Sequence, residues 1–93
     1  MFEWDKEKEK ANLAKHRLAF SNILPCFSGP MLVVVDARFD YGEQRFIGMG
    51  AVEGFAVVVV YTKRGENIRI ISARKAGKHE REKFKTFVAQ RSR

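Results

Sequence analysis

VVVVYTKRGENIRIISARKAGKHEREK, residues 57–83, holds two strands, a tight turn and the start of a helix in one unbroken run. Four consecutive valines imply a strand covered on both faces, hence a central one. Lys63 to Asn67, around Gly65-Glu66, reads as a tight connection into a last strand, Ile68 to Arg74. So short a link makes the two strands antiparallel neighbours. Beyond Gly77 the pattern turns helical, about Lys78 to Gln90, with Phe84, Phe87 and Val88 at core-facing spacing.

Working outward, Gln44 to Val52 alternates, placing Arg45, Ile47, Met49 and Ala51 on one side and Phe46 opposite. Met31 to Val35 is a β-branched run, followed by a polar loop from Asp36 to Gly42. Upstream, Asp5 suits a helix N-cap, with Glu7 and Glu9 where the helix dipole favours acids. That helix is expected from about Lys6 to His16, with Ala11, Leu13 and Ala14 as a thin apolar stripe. Phe20-Ser21 reads as staple and cap of a second, short helix through about Phe27, with Pro25 near its first turn. Phe2 to Trp4 reads as an apolar lead-in. The expected architecture is α+β: two N-terminal helices, a four-stranded, mainly antiparallel sheet and a C-terminal helix, with the helices mainly on one face.

Charge is one-sided. From Thr62 onward, eleven Lys and Arg face three acids, a net of +8, while the preceding residues hold seven bases and eight acids. Such a field attracts a polyanion or an acidic protein, although a solvated helix face accounts for the charge equally well. The 93 residues form one domain, 1–93, of a size for one modest core. The longest apolar run, Phe55 to Tyr61, is too short to span a bilayer, and the opening FEWDKEKEK gives no signal-peptide pattern. The lone Cys26 reads as a small buried hydrophobe in a reducing cytoplasm.

His16 and His79 are far apart in the chain, no ligand set has metal spacing, and Gly48-Met49-Gly50 lacks the context of a phosphate loop. Chemistry without metal or cofactor is open to an RNA-cleaving protein, because the 2′-hydroxyl is an internal nucleophile. The protein then has to move protons and neutralise a phosphorane, work suited to arginine forks and an acid–base pair. Arg45, Arg64, Arg69 and Arg74 lie on or beside strands, with Glu43, Lys15 and His16 as acid–base candidates. Taken singly, each has a plainer reading: Glu43 and Arg45 as a cross-strand ion pair, Lys15-His16 as a basic helix end. Strand parity points Arg69 and Arg74 to opposite faces, unless the strand ends or bulges near Ser72.

In order and spacing, NLAKH, GEQRF and IRIISARKA make the chain resemble the BrnT family, toxins of type II toxin–antitoxin pairs within the RelE/ParE-like superfamily. The resemblance runs from FEWDKEKEKANLAKHRLAF through GEQRFIGMG to VVVVYTKRGENIRIISARKAGKHER. It implies a compact RelE-like fold, a cytoplasmic endoribonuclease that inhibits translation, and a BrnA-like ribbon-helix-helix antitoxin. Operator DNA would then be bound only by the toxin–antitoxin complex. Carried onto this chain, the resemblance points to Lys15, His16, Glu43, Arg45, Arg69 and Arg74 as the catalytic set. The resemblance also points to Trp4, which suits RNA stacking and anchoring of the N-terminal segment equally, and the basic Arg64, Lys75 and Lys78 are expected to contact RNA beside it. Two departures stand out. Arg17 occupies a glycine position after His16, which disfavours a left-handed cap. Gly77-Lys78-His79 replaces a Thr-Arg-Arg type of start to the last helix, weakening its cap. The competing readings are a non-catalytic binding module and a toxin of the same fold aimed at a protein such as gyrase.

Overall fold

A computed structural model describes residues 1–91. In chain order it contains β1 (Phe2–Trp4), α1 (Lys6–His16), α2 (Phe20–Ile23), a 3-10 helix (Leu24–Ser28), β2 (Leu32–Asp36), β3 (Arg45–Val52), β4 (Phe55–Arg64), β5 (Asn67–Lys75) and α3 (Lys78–Arg91). The sheet order is β1-β5-β4-β3-β2, so the valine run lies in the central strand. β2, β3, β4 and β5 pair antiparallel, and β1 pairs parallel with β5 through Phe2–Ile68, Glu3–Arg69 and Trp4–Ile70. The expected four-stranded sheet is therefore five-stranded and mixed. The lead-in Phe2–Trp4 is a strand too short to show its own periodicity.

The β3–β4 and β4–β5 hairpins each close on two residues whose backbones match the strand twist. Glu53-Gly54 joins β3 to β4 with φ of 48° and 87°, the two positive angles of a type I′ turn. Gly65-Glu66 joins β4 to β5 with a positive φ, 60°, only at the glycine, the pattern of type II′.

Alternate residues along the strands feed two cores. Val57, Val59, Tyr61, Ile70 and Ala73 face α2 and the 3-10 helix, burying Phe20, Ile23 and Cys26. Each fully buried side chain of this kind contributes about 1.5–3 kcal/mol. The 3-10 helix lies close against β3, since a methyl group at Gly50 would sit 2.8 Å from Cys26 Cβ. Burial pushes the Cys26 thiol up to about 11, which suits a packing role. On the opposite face Met49, Val58 and Ala76 pack with Phe84, flanked by Phe87, Val88, Leu32 and Ile47. Helices therefore cover both faces rather than mainly one, because Ile47, Met49 and Val58 form a second apolar patch that α3 occupies. α3 covers only one end of that face, and the other end carries the charged residues.

α1 docks differently from expectation. Ala11, Leu13 and Ala14 are exposed, and the buried residue is Asn12. Its side-chain amide donates to Leu18 O and Ala73 O, both at 2.9 Å, and its Oδ1 accepts from Ala73 N at 3.0 Å. β1 ends opposite Ile70, so beyond that point β5 offers unpaired backbone groups. An amide satisfies them, and a leucine has nothing to offer there. Asp5 caps the helix as expected, accepting from Glu7 N at 2.8 Å and Lys8 N at 3.1 Å. Arg17 nevertheless adopts the left-handed cap, φ 55°, and donates its N–H to Leu13 O at 2.8 Å. Phe20-Ser21 makes no cap: the N-cap of α2 is Ala19, and Glu9 Oε2 takes up the Phe20 N–H at 3.0 Å. At α3, Glu80 Oε1 accepts from Gly77 N at 2.8 Å, a capping bond despite the glycine.

Candidate functional site

The orientation of the two β5 arginines is decided by one irregularity. Ser72 pairs with Val60 and Ile70 with Tyr61, leaving Ile71 as an extra residue on β5. That bulge reverses the alternation. Arg74, opposite Val58, and Arg69, opposite Thr62, consequently share one face, the face Arg45 joins through its own pairing with Thr62. Val58 and Thr62 are four residues apart, so the two arginines stand about 13 Å apart along the sheet. They share a surface rather than a point.

Toward the α3 end lies a cleft of about 260 Å³. Its floor is Ile47, Val58 and Val60; its rim is Lys15 and His16 at the end of α1, Ser72 and Arg74 on β5, and Arg38 from the loop after β2. Lys15 and His16 reach it because Asn12, one turn earlier, ties α1 to β5. On the other side of His16 is a second hollow, also about 260 Å³, bordered by Lys8, Lys15 and the bulged Ile71. Arg74 is held from behind by Glu80, Nη1 to Oε1 at 2.7 Å and Nη2 to Oε2 at 2.8 Å. Those bonds, with the one from Gly77 N, bring the Glu80 carboxyl down to about 2 and raise Arg74 above the ordinary arginine value. Arg38 is fixed by a two-point contact with Asp36, at 2.8 and 2.9 Å, while Tyr41 Oη donates to the same carboxylate at 3.1 Å. Asp36 is 4% exposed, and the Arg38 guanidinium holds its carboxyl well below the usual range.

Farther from α3 a second group forms. Glu43 accepts from Arg45 Nε at 3.3 Å and Arg64 Nη2 at 3.4 Å, and the Arg45 guanidinium lies 4.0 Å from the centre of the Tyr41 ring. Loss of water pushes the Glu43 carboxyl up, but the bonds from Arg45 and Arg64 outweigh it, so the net shift is downward. Arg69 pairs with Glu3 at 2.8 Å, and Asn67 donates to the same carboxylate at 3.1 Å. Bonds from Arg69 and then Asn67 lower Glu3.

The catalytic candidates thus divide. Lys15, His16 and Arg74 share the cleft, whereas Glu43, Arg45 and Arg69 lie at the far end of the same face, with Arg64. Trp4 is across the sheet: it pairs with Ile70, packs edge-on against Phe20 and donates to Glu9 Oε1 at 3.2 Å. Lys75 is also on that other side, opposite Val57, with its ammonium 5.1 Å from the Phe55 ring centre. Lys78 opens α3 and is exposed. Sequence reasoning missed Arg38 and Ser72 in the cleft and Asn12 behind it. The Asp36–Arg38 spacing, two residues apart in a polar loop, was the available signal for the first. Among the described residues no three His, Cys, Asp or Glu side chains cluster as a metal site, and no helix is long and apolar enough to cross a membrane.

The family model for the ribonuclease toxin BrnT of type II toxin–antitoxin systems matches residues 4–80, most of the chain. The chain belongs to the BrnT family. No curated protein matches it in sequence. The match runs from Trp4, the last residue of β1, to the start of α3, so the basic residues of both charged groups fall within it. The family is one of ribonuclease toxins from type II toxin–antitoxin systems, which implies an antitoxin as partner.

Proposed function

We propose that this BrnT-family chain is an endoribonuclease that cleaves RNA by attack of the 2′-hydroxyl on the adjacent phosphorus, without a metal, and thereby inhibits translation. The observation that carries the reading is the Ile71 bulge, which turns both β5 arginines to the face that His16 borders. In this mechanism the scissile phosphate enters the cleft. His16 exchanges protons with the 2′-hydroxyl and the leaving oxygen. Lys15, Arg38 and Arg74 oppose the charge of the phosphorane. Arg74 retains Nε for this while Glu80 holds its other end, which fixes the fork without a reorganisation cost. Arg45, Arg64 and Arg69 hold phosphates farther along the strand, about 13 Å away, with Glu43 and Glu3 keeping them extended. Lys75 and Lys78 add to the field that draws RNA in, and Trp4 is given the role of anchor.

In the cytoplasm the partner is a BrnA-like ribbon-helix-helix antitoxin, and operator DNA is bound by the complex. The test is induction of the chain alone in bacteria, comparing labelling of new protein with labelling of new DNA. Early loss of protein synthesis is expected. Early loss of DNA synthesis would point instead to a gyrase-directed toxin, and unaffected growth with abundant folded protein would contradict the toxin reading for this chain.

A further inference from the structure

β2 ends the sheet with an unpartnered edge. It pairs with β3 in regular register from Leu32 to Asp36, and among the described residues no strand lies on its other side. Edge strands are ordinarily blunted by charge, proline or a bulge. Here Val33, Val34 and Val35 are 41%, 53% and 52% exposed. The one charged residue, Asp36, is buried against Arg38. Beside this edge, on the α3 side, lies a groove of about 360 Å³ between Leu32 and Phe87, with Lys83 and Gln90 among its lining residues. Leu32 and Val34 share that face. A strand laid along β2 would send alternate side chains toward the groove.

We infer that the β2 edge and the Leu32–Phe87 groove form the docking site of the antitoxin, which enters as an extended, β-branched segment with one apolar anchor and acidic flanks. Open backbone edges and valines are complementary to another strand; with no Lys or Arg on β2, they bring no positive charge to a phosphate chain. A second copy is disfavoured by charge, since each chain carries +7. An acidic partner is favoured by the same charge and by the exposed Lys83 that lines the groove. β2 runs directly into Asp36 and Arg38, and Arg38 rims the cleft. A segment seated on β2 therefore ends next to the proposed reaction centre and shields it. The inference rests on the toxin–antitoxin kinship and not on the RNA chemistry.

The probe is a short synthetic peptide of alternating Val and Thr with a central Leu and Asp-Glu at both ends, mixed with the full chain and followed by NMR amide exchange. Binding should protect the β2 amides and shift Leu32 and Phe87 signals. V34E and V35E, both at exposed positions, should keep the wild-type melting temperature and bind at least about tenfold more weakly. The same peptide N-methylated at alternate residues should not bind. Absence of binding, equal affinity for V34E and V35E, or shifts confined to the cleft would overturn the proposal. So would a concentration-dependent dimer of the chain alone that V34E abolishes, or protection of β2 by an RNA oligonucleotide. Growth arrest on induction reads the toxin function separately: wild type and V34E should both arrest growth, and if neither does, the toxin reading fails while the peptide result stands.

Discussion

Asn12→Leu isolates the polar joint that holds α1 on the sheet. The replacement keeps nearly the same side-chain shape and removes all three hydrogen bonds to Leu18 O, Ala73 O and Ala73 N. Asn12 is 6% exposed, so water does not readily take the place of the amide. Each buried group left unpaired costs about 1–3 kcal/mol, and partial relaxation makes the total about 2–4 kcal/mol rather than a simple sum. For a domain of this size that is a fall in melting temperature of about 10–25 °C. Thermal unfolding followed by circular dichroism measures it, and hydrogen exchange at the Ala73 amide localises it. RNA cleavage should fall as well, although no reacting group changes, because Lys15 and His16 lie on the next turn of α1. A melting temperature within about 3 °C of wild type, with Ala73 still protected, would refute the claim that a side chain completes the edge of β5.

Arg17→Gly should stabilise the protein by about 1 kcal/mol, read from urea unfolding, because a non-glycine residue now holds a left-handed angle. The Glu80 carboxyl titrates at about 2 in the fold against an ordinary 4.5, so its contribution is present above 4.5 and is lost as pH falls toward 2. Melting temperatures of Arg74→Ala should accordingly fall less steeply than wild type across that window. Arg74→Ala should slow RNA cleavage by about a hundred- to a thousandfold; Arg69→Ala should chiefly weaken RNA binding and flatten its salt dependence, and Lys63→Ala should leave cleavage near wild type in the same gel assay.

What the sequence revealed follows its strongest periodicities. The valine run, the Gly65-Glu66 turn and the phenylalanine spacing of α3 were legible because burial on two faces, hairpin twist and helical period each leave a local pattern. β1 was not, since three residues hold no period and its partner is more than sixty positions away. α1 misled for a physical reason: its apolar residues looked like the docking stripe, but the exposed strand edge beside it called for an amide. At the site, parity set the condition correctly, that Arg69 and Arg74 share a face only with a bulge near Ser72. Only the register shows the extra residue, Ile71. Arg38 escaped notice because its position depends on a buried carboxylate, and nothing local marks Asp36 as buried.

The central claim is that side chains alone cleave RNA in the cleft of His16, Lys15 and Arg74. Purified full-length chain incubated with RNA in excess chelator, followed by analysis of the new ends, tests it most directly. Cleavage that persists and leaves a 2′,3′-cyclic phosphate, and that His16→Ala lowers by about 10²–10⁴-fold, is the predicted result. Cleavage abolished by chelator and restored by magnesium, or products bearing a 5′-phosphate, would contradict it.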